Sequence, residues 1–232
     1  MKICVIPARG GSKRIPKKNT KSFAGKPIIA WSIETALKSG CFDEVIVSTD
    51  DKEIAAVAQQ YGAKVPFFRP EALSDDFTGT VAVISHAVNW LCENWQLPEY
   101  VCCLYATAPF VEPEDLQKGL QKIQLEDADY VFSVATFESP IQRAFKINSD
   151  SRVEMFQPGY LNSRSQDLEE AYYNAGQFYW GTCEAWRTGK RVLNGNSVPI
   201  VVPRGRVQDI DTPEDWEHAE LLFNWLKHKQ KL

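Results

Sequence analysis

Short apolar runs alternate with stretches that are apolar only at helical spacing through most of this chain, and that alternation restricts its fold more than any other feature. Residues 2–7, 44–49, 64–68, 100–105 and 130–136 are the runs. Between them, residues 27–39, 80–95 and 113–123 read as helices, and a further helix follows Asp50 or Asp51, either of which can cap it. Ile29, Ile33, Ala36 and Leu37 share one face before Gly40, and Ile54, Val57, Ala58 and Tyr61 share another before Gly62, glycine being the residue that ends a helix in the left-handed conformation. Strands apolar on both sides must be covered on both sides. The pattern therefore predicts an α/β fold with a mostly parallel sheet between helical layers.

The alternation lapses over residues 137–170, where Pro140, Pro158 and Gly159 interrupt a polar stretch. This reads as an excursion from the sheet. Strands return at 171–180 and 198–202, and the chain closes on a helix with Thr212 as cap, Pro213 at its first position, and Trp216, Ala219, Phe223 and Leu226 on one face. All 232 residues are expected to form one domain, with residues 137–170 an excursion inside it.

Six cysteines show no Cys-x-x-Cys pair, and His86, His218 and His228 lie in amphipathic stretches with no ligand or nucleophile partner nearby. They read as reduced thiols and structural imidazoles. The apolar run after Lys2 ends at Arg9, too short for a signal-peptide core or a membrane span, so a cytoplasmic protein is expected. A net charge of −4 argues against nucleic-acid partners, which demand a basic face.

Positive charge is nevertheless concentrated in one place. Arg9, Lys13, Arg14, Lys17, Lys18 and Lys21 crowd the loop that leaves the first strand, beside Gly10 and Gly11. In open α/β sheets, ligands bind at the carboxyl ends of strands. The two glycines permit close backbone approach and positive φ, Ser12 offers a hydroxyl, and the cations can neutralise phosphates. The competing reading is a solvated basic loop with two turn glycines. The spacing is not that of an ATPase P-loop, and the absence of Gly-x-Gly-x-x-Gly argues against a redox dinucleotide enzyme.

Asp209 and Asp211, two residues apart in an extended stretch, project to one side and can share a divalent cation. A solvated turn that caps the last helix fits the same residues.

The segment Ile6-Pro7-Ala8-Arg9-Gly10-Gly11-Ser12-Lys13-Arg14-Ile15-Pro16-Lys17-Lys18-Asn19 resembles the opening signature of the cytidylyltransferases that activate acidic sugars, the CMP-sialic acid and CMP-Kdo synthetases. Further matches follow in order: residues 46–50, Arg69-Pro70-Glu71-Ala72-Leu73 with Asp76 and Thr80, residues 104–109, and Asp209-Ile210-Asp211-Thr212. The resemblance covers essentially the whole chain. It implies a Rossmann-like nucleotidyltransferase of GT-A type, a three-layer sandwich with a protruding segment that pairs two subunits. It also implies a nucleotide site made of Ala8, Arg9, Gly10, Gly11, Ser12, Lys13, Lys18, Asn19, Arg69, Asp76 and Thr80, in which Arg69 and the loop from Asp76 to Thr80 read cytosine. Asp209 and Asp211 would hold Mg²⁺, or Mn²⁺ in its place, and Arg9, Lys18 and Asp211 would carry catalysis. Without the resemblance, Arg69-Pro70 would read as a turn.

The reaction implied is attack of a sugar's anomeric hydroxyl on the α-phosphate of CTP, with loss of pyrophosphate. At the sugar site the chain departs from the sialic acid enzymes. Tyr105 stands where they usually carry glutamine, and Ser139-Pro140-Ile141-Gln142-Arg143 stands where they place a lysine after His-Pro. That stretch and Tyr173-Asn174-Ala175-Gly176-Gln177-Phe178-Tyr179-Trp180-Gly181 are similar to the bacterial pseudaminic acid cytidylyltransferases. Tyr105, Gln142, Arg143, Gln177 and Tyr179 are accordingly the sugar-site candidates, with Arg143 as the cation for the sugar carboxylate. Pseudaminic acid is the expected substrate, ahead of legionaminic, sialic and Kdo acids. The non-enzymatic alternative is a nucleotide-binding module without turnover, and the presence of both aspartates speaks against it. A homodimer paired through residues 137–170 is expected.

Overall fold

Ile3, Cys4, Val5 and Ile6 are all fully buried, so the first strand has no solvent face. The computed structural model describes residues 1–229. Strand β1 (Lys2–Pro7) leads into the basic loop, a two-residue-per-strand ribbon of β2 (Ser22–Phe23) and β3 (Lys26–Pro27), and helix α1 (Ile28–Ser39). Next come β4 (Glu44–Ser48), α2 (Lys52–Gln60), α3 (Thr80–Asn94), β5 (Tyr100–Leu104), α4 (Pro113–Leu125) and β6 (Tyr130–Thr136). After the excursion follow β9 (Tyr172–Thr182), α5 (Cys183–Arg187), β10 (Ser197–Val201) and α6 (Pro213–Lys229). Strands β7 (Phe145–Ile147) and β8 (Val153–Met155) pair with each other inside the excursion, apart from the main sheet.

The main sheet runs β10-β6-β9-β5-β1-β4, parallel throughout except for β9, which is antiparallel to both neighbours. Ile29 and Ile33 of α1, Ile54 and Ala58 of α2, and Leu116 and Ile123 of α4 bury one face. Ile84, Ala87 and Leu91 of α3 join Ala185 and Trp186 of α5 on the other. A third cluster sets Trp216 and Phe223 of α6 against Phe23 and Ile28, which fixes the far end of the basic loop.

Local signals behave as their chemistry dictates. Asp51 caps α2 by accepting from the amides of Glu53 and Ile54, and Gly40 and Gly62 take φ of 65° and 93°. Thr212 and Asp215 hydrogen-bond reciprocally at the start of α6. Residues 64–68 do not form the expected strand. Only single bridges form, Ile46 of β4 with Lys64 and Thr49 just beyond β4 with Phe68, because Pro66 has no N–H to continue a ladder between them. All six cysteines are free, and burial raises the pKa of Cys4, Cys102 and Cys103. Among the described residues, no helix is long and apolar enough to cross a membrane.

Candidate active site

The basic loop and the Asp209–Asp211 segment meet at the carboxyl end of β1, although 192 positions separate Lys18 from Ile210. The Lys18 ammonium donates to the Ile210 carbonyl at 2.6 Å and to Asp211 Oδ1 at 3.2 Å, while Arg14 reaches Asp211 Oδ2 at 2.8 Å. Opposite them, Arg9 pairs with Asp76 Oδ1 and donates to the Asp75 carbonyl, both at 2.6 Å, and Lys13 bonds to the other oxygen of Asp76. These hydrogen bonds, from Lys13 first and then from Arg9, hold the Asp76 carboxyl below its ordinary range. Between the two groups lies a cleft of about 310 Å³.

Four of the six loop cations face this cleft. Lys17, in the left-handed region at φ 52°, sends its ammonium to Glu53 instead, and Lys21 lies over the ring of Trp216. Asn19 is buried and donates to the Arg9 carbonyl at 2.9 Å, which fixes the loop's shape. The glycines act differently from expectation. Neither Gly10 nor Gly11 has a positive φ, and neither lines the cleft. A Cβ on Gly10 would meet Asp51 Oδ2 at 2.7 Å, so this glycine lets the loop press against the α2 cap, while the Gly10 amide donates to Asp50 at 3.0 Å. Gly11 has open space around it. Ala8 is buried beneath the loop and donates its amide to Ser48.

Arg69 enters the cleft from beyond β4 and is 5 % exposed. Its Nε donates to Ser74 at 3.2 Å, and Asp50 lies 3.8 Å from Nη2, which has no hydrogen-bond partner among the described residues. Burial lowers its pKa, Asp50 opposes that, and Arg9 adds to it. A buried donor without an acceptor is costly, so Arg69 is primed for a polar ligand atom. Ser12, Asp76 and Thr80 also line the cleft.

Thr80 and Tyr105, joined through their hydroxyls at 2.8 Å, form the wall between this cleft and a second cavity of about 460 Å³. Tyr179 and Asn174 line that second space, with the Tyr179 hydroxyl donating to Asn174 Oδ1 at 3.0 Å. Desolvation raises the pKa of both tyrosines. Gln177, expected beside Tyr179, turns elsewhere: it is buried and its Nε2 donates to the Arg206 carbonyl at 2.6 Å. Gln142 and Arg143 lie outside both cavities, in a 3-10 turn of the excursion, bonded to the Glu169 carbonyl and to Ser165.

Asp211 lines the cleft, whereas Asp209 does not. Although Asp209 is open to solvent on one side, partial desolvation raises its pKa, the Asp211 charge adds to this, and Lys18 opposes it. Two neighbouring carboxylates, one with no cation of its own, suit a hard divalent ion. Among the described residues no group of three or more such ligands occurs, so water and ligand oxygens would complete any coordination sphere. Residues absent from the sequence reading are Arg14 as a partner of Asp211, Asp50 and Ser74 around Arg69, and Asn174 on the second cavity. Charge density in the loop pointed toward Arg14; the others become visible only once loops from distant positions converge.

The profile of the family described as cytidylyltransferase matches residues 3–183. The chain is 48 % identical over 221 residues to a pseudaminic acid cytidylyltransferase of Campylobacter jejuni, spanning 95 % of each chain. It is 36 % identical over 231 residues to a CMP-N,N'-diacetyllegionaminic acid synthase of Legionella pneumophila, again spanning 95 % of both. A solved CMP-2-keto-3-deoxy-manno-octonic acid synthetase with CTP superimposes with a TM-score of 0.70 at 18 % identity, covering 100 % of this chain and 99 % of the other.

Proposed function

The chain belongs to the cytidylyltransferase family, and from that premise we propose that it transfers CMP from CTP to pseudaminic acid, an acidic nine-carbon sugar. One observation carries the reading: Lys18 of the first loop and Asp211 of the far segment bond to each other across the floor of a cleft lined by cations. A triphosphate is the ligand whose charge matches Arg9, Lys13, Arg14 and Lys18 together.

The sugar's anomeric hydroxyl attacks the α-phosphate in line and pyrophosphate leaves, with no covalent enzyme intermediate. Charge on the phosphates grows toward the leaving group, so the cations stabilise the transition state more than the ground state. Arg9 and Lys13 now lie on Asp76, and Arg14 and Lys18 on Asp211; CTP exchanges these carboxylates for phosphate oxygens. Arg69 gives its unpartnered Nη2 to the cytosine carbonyl, and Thr80 and Tyr105 separate base and phosphates from sugar. Asp209 and Asp211 would hold Mg²⁺, which supplies Lewis-acid charge at the phosphates.

Two copies pair through residues 137–170, where Phe145, Ile147, Val153 and Phe156 are exposed. Free thiols and a CTP substrate fit a cytoplasmic enzyme. The test supplies CTP and Mg²⁺ with pseudaminic, legionaminic, sialic or Kdo acid and measures pyrophosphate. Release with pseudaminic acid at the highest kcat/KM is expected; preference for another acid would reassign the sugar, and no release with any of them would overturn the reading.

A further inference from the structure

The second cavity contains one charged residue among those described, and it is Arg191. We infer that Arg191 binds the carboxylate of the acidic sugar and is a specificity-determining residue, an inference that rests on the reading just given.

The backbone around Arg191 is fixed on both sides. The Lys190 amide donates to the Ala185 carbonyl at 3.0 Å, the Lys190 carbonyl accepts from the Tyr130 hydroxyl at 3.0 Å, and its ammonium lies 2.6 Å from Asp129. Val192 packs against the cluster under α3 and α5, and the Arg191 carbonyl itself accepts from Asn194 at 2.6 Å. The guanidinium, by contrast, has no hydrogen-bond or ion-pair partner among the described residues. Arg191 is exposed, so what bears on a ligand is its place as the charged lining residue of the cavity on an anchored backbone, from which the planar fork of arginine can match a carboxylate in two contacts.

The position of the cavity explains the need. It shares Thr80 and Tyr105 with the nucleotide cleft, so a sugar lodged there can present its anomeric hydroxyl to the phosphates past that shared edge. In a 2-keto sugar acid the carboxylate is bonded to the anomeric carbon. The group that must approach a triphosphate therefore carries a negative charge beside its nucleophile, and a cation on the sugar side offsets the repulsion. Asn174 and Tyr179 line the same space, where hydroxyl and acyl groups of the sugar need polar partners. Arg143, the cation expected from the sequence, bonds to Ser165 in the excursion and lines no part of this cavity in its own chain.

The experiment compares wild type, Arg191→Ala, Arg191→Lys and Arg143→Ala by pyrophosphate release, with pseudaminic acid and with its C1 carboxamide as acceptors. Arg191→Ala is expected to raise the sugar KM by about 10- to 100-fold with the CTP KM within twofold, since a lost charge-assisted bidentate contact is worth roughly 1.5–3 kcal/mol. Arg191→Lys, which keeps the charge and the fold, should recover part of that loss. Wild type should discriminate strongly against the carboxamide and Arg191→Ala only weakly. An unchanged sugar KM in Arg191→Ala, or the full effect in Arg143→Ala instead, overturns this assignment and leaves the cytidylyltransferase reading intact. Absence of turnover by wild type with every acidic sugar overturns both.

Discussion

Arg206 grips Asp115 with two guanidinium nitrogens, at 2.5 and 3.0 Å, and gives a further bond to the Phe110 carbonyl at 3.1 Å. Asp115 also accepts from the Glu112 amide at 3.1 Å within the capping box of α4. The start of α4 is thereby tied to the segment that runs on to Asp209 and Asp211, so a helix cap helps to place the acidic pair. Asp115 is 3 % exposed, and replacing it with asparagine would leave the part-buried guanidinium with Glu112, at 3.4 Å, in place of its two-point carboxylate partner. Asp115→Asn should cost about 3 kcal/mol. A urea midpoint equal to that of wild type would contradict this.

Lys18→Ala should separate catalysis from stability. Among the described residues its ammonium reaches only the Ile210 carbonyl and Asp211 on the cleft floor, whereas the charge it contributes acts on phosphates. The turnover number should fall by about 10²- to 10³-fold, the range for removing one preorganised charge-stabilising donor, with the melting temperature within a few degrees. Normal turnover with a depressed melting temperature would assign Lys18 to structure alone.

Much of this site was legible in the sequence, for reasons that differ from residue to residue. Arg9, Lys13 and Lys18 were readable because charge density and strand-end position are both properties of adjacent residues. Pro66 was equally readable, and its missing N–H outweighs the apolar run around it, so that residues 64–68 form no strand. The antiparallel direction of β9 had no local sign, since direction depends on where the excursion returns the chain. Arg191 lay in a loop with no periodicity, and only the fold brings it to the wall shared by Thr80 and Tyr105.

Acid should weaken the fold partly through Glu34. Lys26 at 2.6 Å is the main cause that lowers its carboxyl below the ordinary 4.5, with Lys38 at 3.0 Å assisting and burial opposing. Because its folded pKa is depressed, the stability Glu34 contributes is complete above the unfolded value and is lost as pH falls through the lower folded value. In Glu34→Gln the urea midpoint should therefore decline less steeply below about pH 4.5 than in wild type. Parallel declines would remove Glu34 from the account.

The exposed apolar side chains of the excursion predict its role in assembly. Ile147 and Val153, paired across β7 and β8, are 72 % and 68 % exposed. Light scattering behind size-exclusion should give a dimer mass at micromolar concentration, and Ile147→Asp with Val153→Asp should shift it toward the monomer. A wild-type monomer at that concentration would refute the pairing.

The acidic pair makes the last prediction. Asp211 is held by Lys18 and Arg14, so its charge is already compensated, whereas Asp209 has no ion-pair partner among the described residues and is raised in pKa by desolvation and by Asp211. A divalent cation would relieve that repulsion, and Asp209 would contribute more to its affinity than its distance from the cleft lining implies. Chelation with EDTA should abolish pyrophosphate release and added Mg²⁺ should restore it. Asp209→Asn should raise the Mg²⁺ concentration for half-maximal activity by about tenfold or more, because affinity for hard cations follows the number of ligand charges. It should leave folding intact, since among the described residues the Asp209 carboxylate accepts a hydrogen bond only from the adjacent Ile210 amide, a contact that asparagine can keep. Metal-independent turnover would remove the cation from the mechanism. An unchanged Mg²⁺ requirement in Asp209→Asn would leave Asp211 as its protein ligand.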